Sequence, residues 1–318
     1  MKKNINVLFG ERSNLSLSLS SVLNNAILLS GGNAQELLKY RDKDIRINVV
    51  INSFQKSTEL GDFANPKQYT EKTLGDLSNI IDVLINIKDL IGTVIYTSSA
   101  AVYGRNPCCH EKDQVHPISL YSSLKISSEI MIQNYLSAHG INYIIARVFN
   151  MYGGNDNFSI ISKIIKSHAG DRELNLYNNG ESVRDFIHIL DVCKIYKKLL
   201  ESDYCGVVNV GTGSGHSIKN IVEMLKDYSV DFKIDSKIRD EINESIENNL
   251  LLFLKPSCSS SNKENITPLK PVVGVLFLFC ISFNMSVKYE VKNNVPLLPS
   301  CSKPKSSINS ATLLPFSG

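Results

Sequence analysis

The sequence predicts an α/β fold built on a doubly wound parallel sheet. Short, mostly apolar runs at residues 5–9, 49–51, 93–96, 141–146 and 206–210 alternate with longer stretches of helical spacing. Continuous apolar strands mark a sheet covered on both faces, not one half in water. The chain has 318 residues, 43% hydrophobic and 20% charged. That is an ordinary globular mix, long enough to bury a core without disulfides.

Each element has its own signal. Residues 5–9 (Ile-Asn-Val-Leu-Phe) read as a short buried strand, ended by Gly10. A serine- and leucine-rich segment up to residue 23 reads as a helix. Residues 26–29 form a second apolar run, stopped by Ser30-Gly31-Gly32-Asn33, a cluster of turn formers. Residues 34–39 read as helical. Residues 49–51, between Asn48 and Asn52, form another buried strand. Apolar residues recur at helical spacing over 73–88. The strand at 93–96 runs into Thr97-Ser98-Ser99. A long helix is expected over 119–138, then strands at 141–146 and 206–210. No internal repeat is evident. Beyond residue 250 the chain turns rich in Ser, Pro, Asn and Lys, with one apolar run at 272–283. A disordered tail and a poorly folded end from a changed reading frame both remain open readings there.

Composition narrows the partners. The net charge is +3, from 34 basic and 31 acidic residues, so nothing demands nucleic acid or an anionic membrane. Seven cysteines occur, none in a CxxC pair. Their spacing fits no zinc or disulfide framework, so free thiols in a reducing cytoplasm and no metal are expected. The first ten residues carry two lysines but no long apolar stretch, so no signal peptide is read. The run at 272–283 is shorter than the ~20 residues a membrane helix needs, and no membrane insertion is expected.

The strongest chemical signal is Tyr121-Ser122-Ser123-Leu124-Lys125. On a helix, Tyr121 and Lys125 share one face. A phenol near pKa ~10 is a poor acid or base at neutral pH. A nearby ammonium favours the phenolate, so the pair can pass a proton to or from an alcohol or carbonyl oxygen. Alone the spacing is weak, and a chance surface pair is the bland alternative. Upstream, Thr97-Ser98-Ser99-Ala100-Ala101-Val102-Tyr103-Gly104 lies at the carboxyl end of a predicted strand, where open α/β sheets bind ligands. There Ser99 can hydrogen-bond the oxygen that Tyr121 protonates, or merely cap the strand-to-loop junction.

With these stretches the chain resembles the extended short-chain dehydrogenase/reductase superfamily, in its nucleotide-sugar epimerase/dehydratase/reductase branch. Three further matching stretches follow in the order of that branch. They are Ala146-Arg147-Val148-Phe149-Asn150-Met151-Tyr152-Gly153, Ser182-Val183-Arg184-Asp185-Phe186-Ile187-His188-Ile189-Leu190-Asp191 and Val208-Asn209-Val210-Gly211-Thr212-Gly213. The resemblance implies a Rossmann-like sheet with a smaller C-terminal substrate lobe. The dinucleotide-binding domain would span 1–150, rejoined by the strand near 206–210. A nucleotide-sugar lobe would span 151–250, and 251–318 would be an atypical tail.

Carried over position by position, the resemblance makes Tyr121 the acid/base. Lys125 is its partner and also holds the nicotinamide ribose, and Ser99 is the second hydroxyl. Asn150 and Arg184 would meet the diphosphate of the sugar nucleotide, a role suited to arginine's planar fork. The alternatives are an Arg184 salt bridge to Asp185 or Asp191, and Asn150 as a turn cap. His188 is expected to be structural, and Tyr103 and Tyr152 to line pocket or core. A homodimer through the helix bearing Tyr121 is also implied, with Leu124, Ile130 and Ile132 as apolar positions that permit it.

The phosphate loop departs from the pattern. The family carries three spaced glycines. Here the stretch is Gly10-Glu11-Arg12-Ser13-Asn14-Leu15-Ser16, with only the first retained. Gly10, Arg12, Ser13 and Ser16 are the expected cofactor-binding residues beside Lys125, with weakened dinucleotide affinity. No carboxylate stands at Ser30-Gly31-Gly32 to bind an adenine ribose, which leans towards NADPH over NADH, with Arg12 beside the 2′-phosphate. The stretch from 30 to 48 looks too short for a further strand-helix unit.

Ala100 and Ala101 stand where 4,6-dehydratases of the superfamily carry Asp-Glu, so elimination of water is not expected. A 4-ketoreductase is placed first, because a loosened loop suits an exchanging cofactor. The concrete form is reduction of dTDP-4-dehydro-6-deoxyglucose to a dTDP-6-deoxyhexose such as dTDP-fucose, for surface polysaccharide (O-antigen) synthesis. A nucleotide-sugar 4-epimerase holding its NAD comes next. A non-catalytic nucleotide-sugar binding protein is the third reading.

Overall fold

The computed structural model describes residues 3–52, 65–170, 174–226, 234–237 and 244–247. The first half runs β1 (Lys3–Phe9), α1 (Asn14–Val22), β2 (Ala26–Leu29), a 3₁₀ run over Gly31–Tyr40, β3 (Ile45–Ile51), α2 (Pro66–Asn86), β4 (Ile91–Ser99), β5 (Cys108–Cys109) and α3 (Leu120–Ala138). It continues with β6 (Asn142–Val148), β7 (Asn150–Tyr152), α4 (Ile160–Gly170), β8 (Leu174–Tyr177), β9 (Val183–His188), α5 (Ile189–Leu200), β10 (Gly206–Val210), β11 (Gly215–Ser217) and α6 (Ile218–Lys226). Two further strands are β12 (Ile234–Lys237) and β13 (Glu244–Glu247).

The apolar strands do what their composition predicts. Six of them pair in the order β10-β6-β4-β3-β1-β2, every pair parallel. Successive side chains point to opposite faces, so Val7 and Phe9 enter one apolar cluster while Leu8 enters the other. Val49 and Val50, and Val94 and Ile95, divide the same way. One face is covered by α2 through Leu77, Ile80, Ile81 and Leu84, and by α3 through Ile132 and Leu136. The other is covered by α1 through Leu15 and Leu19, and by α5 through Val192, Ile195 and Leu199. Each such side chain contributes about 1.5–3 kcal/mol of burial. A separate apolar cluster joins α4, β8, β9 and α6 through Ile161, Leu176, Phe186 and Ile221. The expected Rossmann-like α/β fold is therefore present.

Two expectations change in detail. Residues 34–39, read as a helix, belong to the 3₁₀ run, which Gly31 and Gly32 open and Asn33 interrupts with φ −101° and ψ 17°. That run leads directly into β3, which pairs with β1, so the sheet ends at β2. Leu124 and Ile132, read as open to a partner helix, are 5% and 0% exposed and belong to the interior, whereas Ile130 is 53% exposed. The apolar run at 272–283 and the whole tail lie outside the described residues. Among the described residues no helix is long and apolar enough to cross a membrane, and Cys108, Cys109, Cys193 and Cys205 are free thiols.

The order of strands sets the site. The chain leaves β1 for β2 on one side and returns to β3 on the other, then builds outward through β4. At such a switch point the carboxyl ends of neighbouring strands leave a crevice. The ends of β1, β3 and β4 bring the turn after Phe9, Asn52 and Thr97–Ser99 to it.

Candidate active site

At the end of β4, Ser99 does two things. Its Oγ accepts from the amide of Ala101 at 3.2 Å, capping a 3₁₀ turn over Ala100–Tyr103. It also lies close enough to the Tyr121 phenol to oppose the upward shift of that group's pKa. Ser99 therefore caps the strand-to-loop junction with its hydroxyl beside the Tyr121 phenol.

α3 delivers Tyr121. Ser119 caps this helix and forms a capping box with Ser122, with Ser122 N to Ser119 Oγ at 3.2 Å and Ser119 N to Ser122 Oγ at 3.0 Å. The box satisfies amides that a helix start leaves open and fixes Tyr121 in the first turn. One turn on, Lys125 is 2% exposed, which removes the chance-surface-pair reading. Its Nζ donates to the Thr97 carbonyl at 2.8 Å. It lies 5.1 Å from the centre of the Tyr96 ring and 5.7 Å from that of Tyr121. Burial brings the ammonium's pKa down to about 8, against the opposing charge of Glu129. Burial pushes the Tyr121 phenol up, and the Ser99 hydrogen bond opposes it.

The turn between β1 and α1 is tight without its usual glycines. Gly10 has φ +83°, a conformation glycine adopts at no steric cost. The Gly10 and Glu11 amides both donate to the Leu29 carbonyl, and Ser13 N donates to Gly10 O. Ser13 caps α1, its Oγ accepting from Ser16 N at 3.0 Å. Ser16 is fully buried and points inward, donating to Phe9 O at 3.3 Å and accepting from Asn52 Nδ2 at 2.6 Å. From Asn52 the chain of bonds reaches Thr97 Oγ1 at 2.7 Å and then the Tyr196 hydroxyl at 2.9 Å. Arg12 is open to solvent, its side chain 95% exposed and 3.7 Å from Glu11. Among the described residues no acceptor meets the amides of Arg12, Asn14 and Leu15. Open amides at a helix start are suited to a phosphate, so the turn fits a diphosphate through its backbone.

The remaining predicted residues sit on the neighbouring strands. Asn150 does not cap a turn; its Nδ2 donates to Asp185 O at 3.1 Å, tying β7 to β9. Arg184 Nη1 donates to the Val183 carbonyl at 2.9 Å. Asp185 is fully buried and accepts from Thr212 N, Thr212 Oγ1 and Gly213 N at 2.6–2.9 Å. It thereby holds the Gly-Thr-Gly turn, a role sequence reasoning missed. Asp191 pairs with Lys194 at 2.8 Å. His188 caps α5, its Nδ1 accepting from Leu190 N at 3.3 Å, and stands edge-on to the Tyr152 ring. Tyr103 is buried, its hydroxyl donating to Asn209 Oδ1 at 2.7 Å, and burial pushes its phenol up to about 12. Asn14 was also missed. Its Nδ2 donates to Gly153 O and its Oδ1 accepts from Asn155 N, both at 2.8 Å, joining the first turn to the segment after β7.

Known proteins resemble this arrangement. UDP-glucose 4-epimerase from Corynebacterium glutamicum is 29% identical over 157 residues, which cover 43% of this chain and 48% of that protein. The chain spans about half the length of the curated relatives it matches. Among solved structures, UDP-N-acetylglucosamine 4-epimerase from Methanobrevibacter ruminantium superposes with a TM-score of 0.68 at 23% identity, covering 79% of this chain and 91% of that one. A dTDP-glucose 4,6-dehydratase from Bacillus anthracis gives 0.64 at 16% identity, covering 77% and 88%. The family model described as NAD dependent epimerase/dehydratase matches residues 19–211, more than half of the chain. That match leaves the turn at 10–16 outside it. The fold, the order of its motifs and this match agree: the chain belongs to the NAD dependent epimerase/dehydratase family.

Proposed function

We propose that the protein interconverts nucleotide sugars at C4 as a 4-epimerase that keeps its nicotinamide nucleotide. The observation that carries this reading is the buried Lys125 beside the Tyr121 ring, with Ser99 next to the phenol. That group handles the proton of one sugar hydroxyl. Ala100 and Ala101 follow Ser99, so the two positions next to it offer no carboxyl groups for loss of water. The curated relative named as a UDP-glucose 4-epimerase supports placing epimerisation ahead of net reduction.

The cofactor, when bound, would take a hydride from C4 and return it. The open amides of Arg12, Asn14 and Leu15 and the Gly10 turn would hold its diphosphate, and Lys125 its nicotinamide ribose. Tyr121 takes the proton from the C4 hydroxyl and gives it back to the C4 carbonyl oxygen after the sugar has turned over. Ser99 holds that same oxygen by a hydrogen bond. Lys125 stabilises the phenolate in between, since a nearby cation favours the charged form. Arg184 and Asn150 would meet the nucleotide diphosphate.

A second reading remains specific. The two lost glycines and the missing carboxylate at Ser30 favour an exchanging cofactor, as in a 4-ketoreductase acting on dTDP-4-dehydro-6-deoxyglucose with NADPH or NADH. Incubation of the purified full chain with UDP-glucose, without added nicotinamide, tests the first reading by the appearance of UDP-galactose. Loss of NADPH absorbance with the 4-keto sugar, and no epimer, would replace it with the second.

A further inference from the structure

A carboxylate, a guanidinium and a serine hydroxyl lie buried together beneath the lysine. Glu129 stands one helical turn beyond Lys125 on α3 and is 4% exposed, and Arg147 on β6 is 6% exposed. Arg147 Nη2 donates to Glu129 Oε2 at 2.7 Å and Nε donates to Oε1 at 3.1 Å, a two-pronged pair. Ser98 Oγ also donates to Glu129 Oε1. The guanidinium lies over the Tyr103 ring at 4.8 Å and reaches the Glu111 carbonyl at 3.4 Å.

Fold stability alone is a poor reason for such a pair. Desolvating two charges offsets most of their attraction, and well-packed apolar residues often serve as well. Its placement is the better reason. The groups around Lys125 are Tyr96 and the Thr97 carbonyl from β4, and Tyr121 and Glu129 from α3, with Arg147 of β6 bound to that carboxylate. Glu129 supplies the anion among them. Ser98, which holds Glu129, lies between Thr97, whose carbonyl receives Lys125, and Ser99, which meets Tyr121.

We propose that Glu129 is a positioning residue for proton transfer at Tyr121: its carboxylate, fixed in place by Arg147 and Ser98 one helical turn from Lys125, favours the charged form of that lysine. The proposal rests on Tyr121 and Lys125 being the proton-handling pair. Ser98 and Glu129 act through Lys125 and the end of β4, not on the sugar.

The test is a pH titration of the lysine side-chain nitrogens by ¹⁵N NMR on the full chain, with Lys125 assigned by its loss in Lys125→Met. In the unaltered protein the Lys125 signal should titrate near 8. Glu129→Gln should lower that midpoint by about one unit, a tenfold loss of proton affinity. Because this variant strands Arg147, the double variant Glu129→Gln/Arg147→Met removes both charges and should fold with a lowered midpoint as well. An unchanged midpoint in either folded variant overturns the proposal. So does failure of the double variant to fold, which would make the pair a determinant of the fold. In turnover, Glu129→Gln should shift the alkaline limb of kcat downward and leave KM unchanged. A chain that turns over no nucleotide sugar would count against the proposed function, while the lysine titration would still be readable.

Discussion

The end of β4 with the start of α3, and the turn between β1 and α1, face the same crevice but carry different kinds of information. On the proposed reading the first works through side chains: a phenol, an ammonium and a hydroxyl, supplied by Tyr121, Lys125 and Ser99. The second would work through backbone amides and a turn shape. Ser13 and Ser16 replace glycines there, yet Gly10 keeps φ +83° and, among the described residues, no acceptor meets three of the amides. A loop that works through its backbone tolerates changes of side chain that the catalytic group does not. The weakened affinity read from the loss of two glycines thus has a structural counterweight: the Ser16 hydroxyl points into the core, where Asn52 bonds it.

Changing each region in turn sharpens that contrast. The largest effect is expected from Tyr121→Phe, which removes the proton carrier and should lower turnover about 10²–10⁴-fold. Melting temperature and calorimetric cofactor binding should stay near those of the unaltered protein. A fall in cofactor binding equal to the fall in turnover would erase the distinction between the two regions.

Lys125→Met should lower turnover as well, and it carries a pH signature. The folded chain holds the Lys125 proton only to about 8, whereas an unfolded lysine holds it to ~10.4. Between those values the unfolded state binds more protons, so this group makes stability rise with pH. Chemical denaturation at pH 8 and pH 10 should show that rise in the unaltered protein and a smaller one in Lys125→Met. Turnover should decline above pH 8, as Tyr121 loses its charged neighbour.

Ser16→Gly restores the family's residue and should make the protein worse. It leaves the Asn52 amide without its acceptor, which costs about 1–3 kcal/mol, read as a lower denaturation midpoint with no gain in cofactor affinity. A gain in affinity without loss of stability would mean that the serine obstructs the ligand. The smallest effect belongs to Arg12→Ala. Exposed charge pairs contribute about 0–1 kcal/mol, so NADPH affinity should fall less than about fivefold and NADH affinity less still.

Legibility in the sequence followed the same division. Mostly apolar strands declared the parallel sheet, and spacing within one helix put Tyr121 and Lys125 on one face. Asp185, Asn52 and Asn14 were not legible. Each acts on a partner distant in the chain: Asp185 on Thr212, Asn52 on Ser16 and Thr97, and Asn14 on Gly153. No local period records such contacts. Residues 34–39 were read as helical, and the sequence did not show that the turn is the tighter 3₁₀ form running over Gly31–Tyr40. Leu124, Ile130 and Ile132 were read as positions that permit a dimer, because periodicity shows that a helix has an apolar face, not which neighbour covers it.

The most direct test of a backbone-built cofactor site is calorimetric titration of the full chain with NAD⁺. One-to-one binding that survives Tyr121→Phe and disappears in Gly10→Val, where a branched side chain meets φ +83°, is the expected result. No binding to the unaltered chain, or binding indifferent to Gly10→Val, would contradict it.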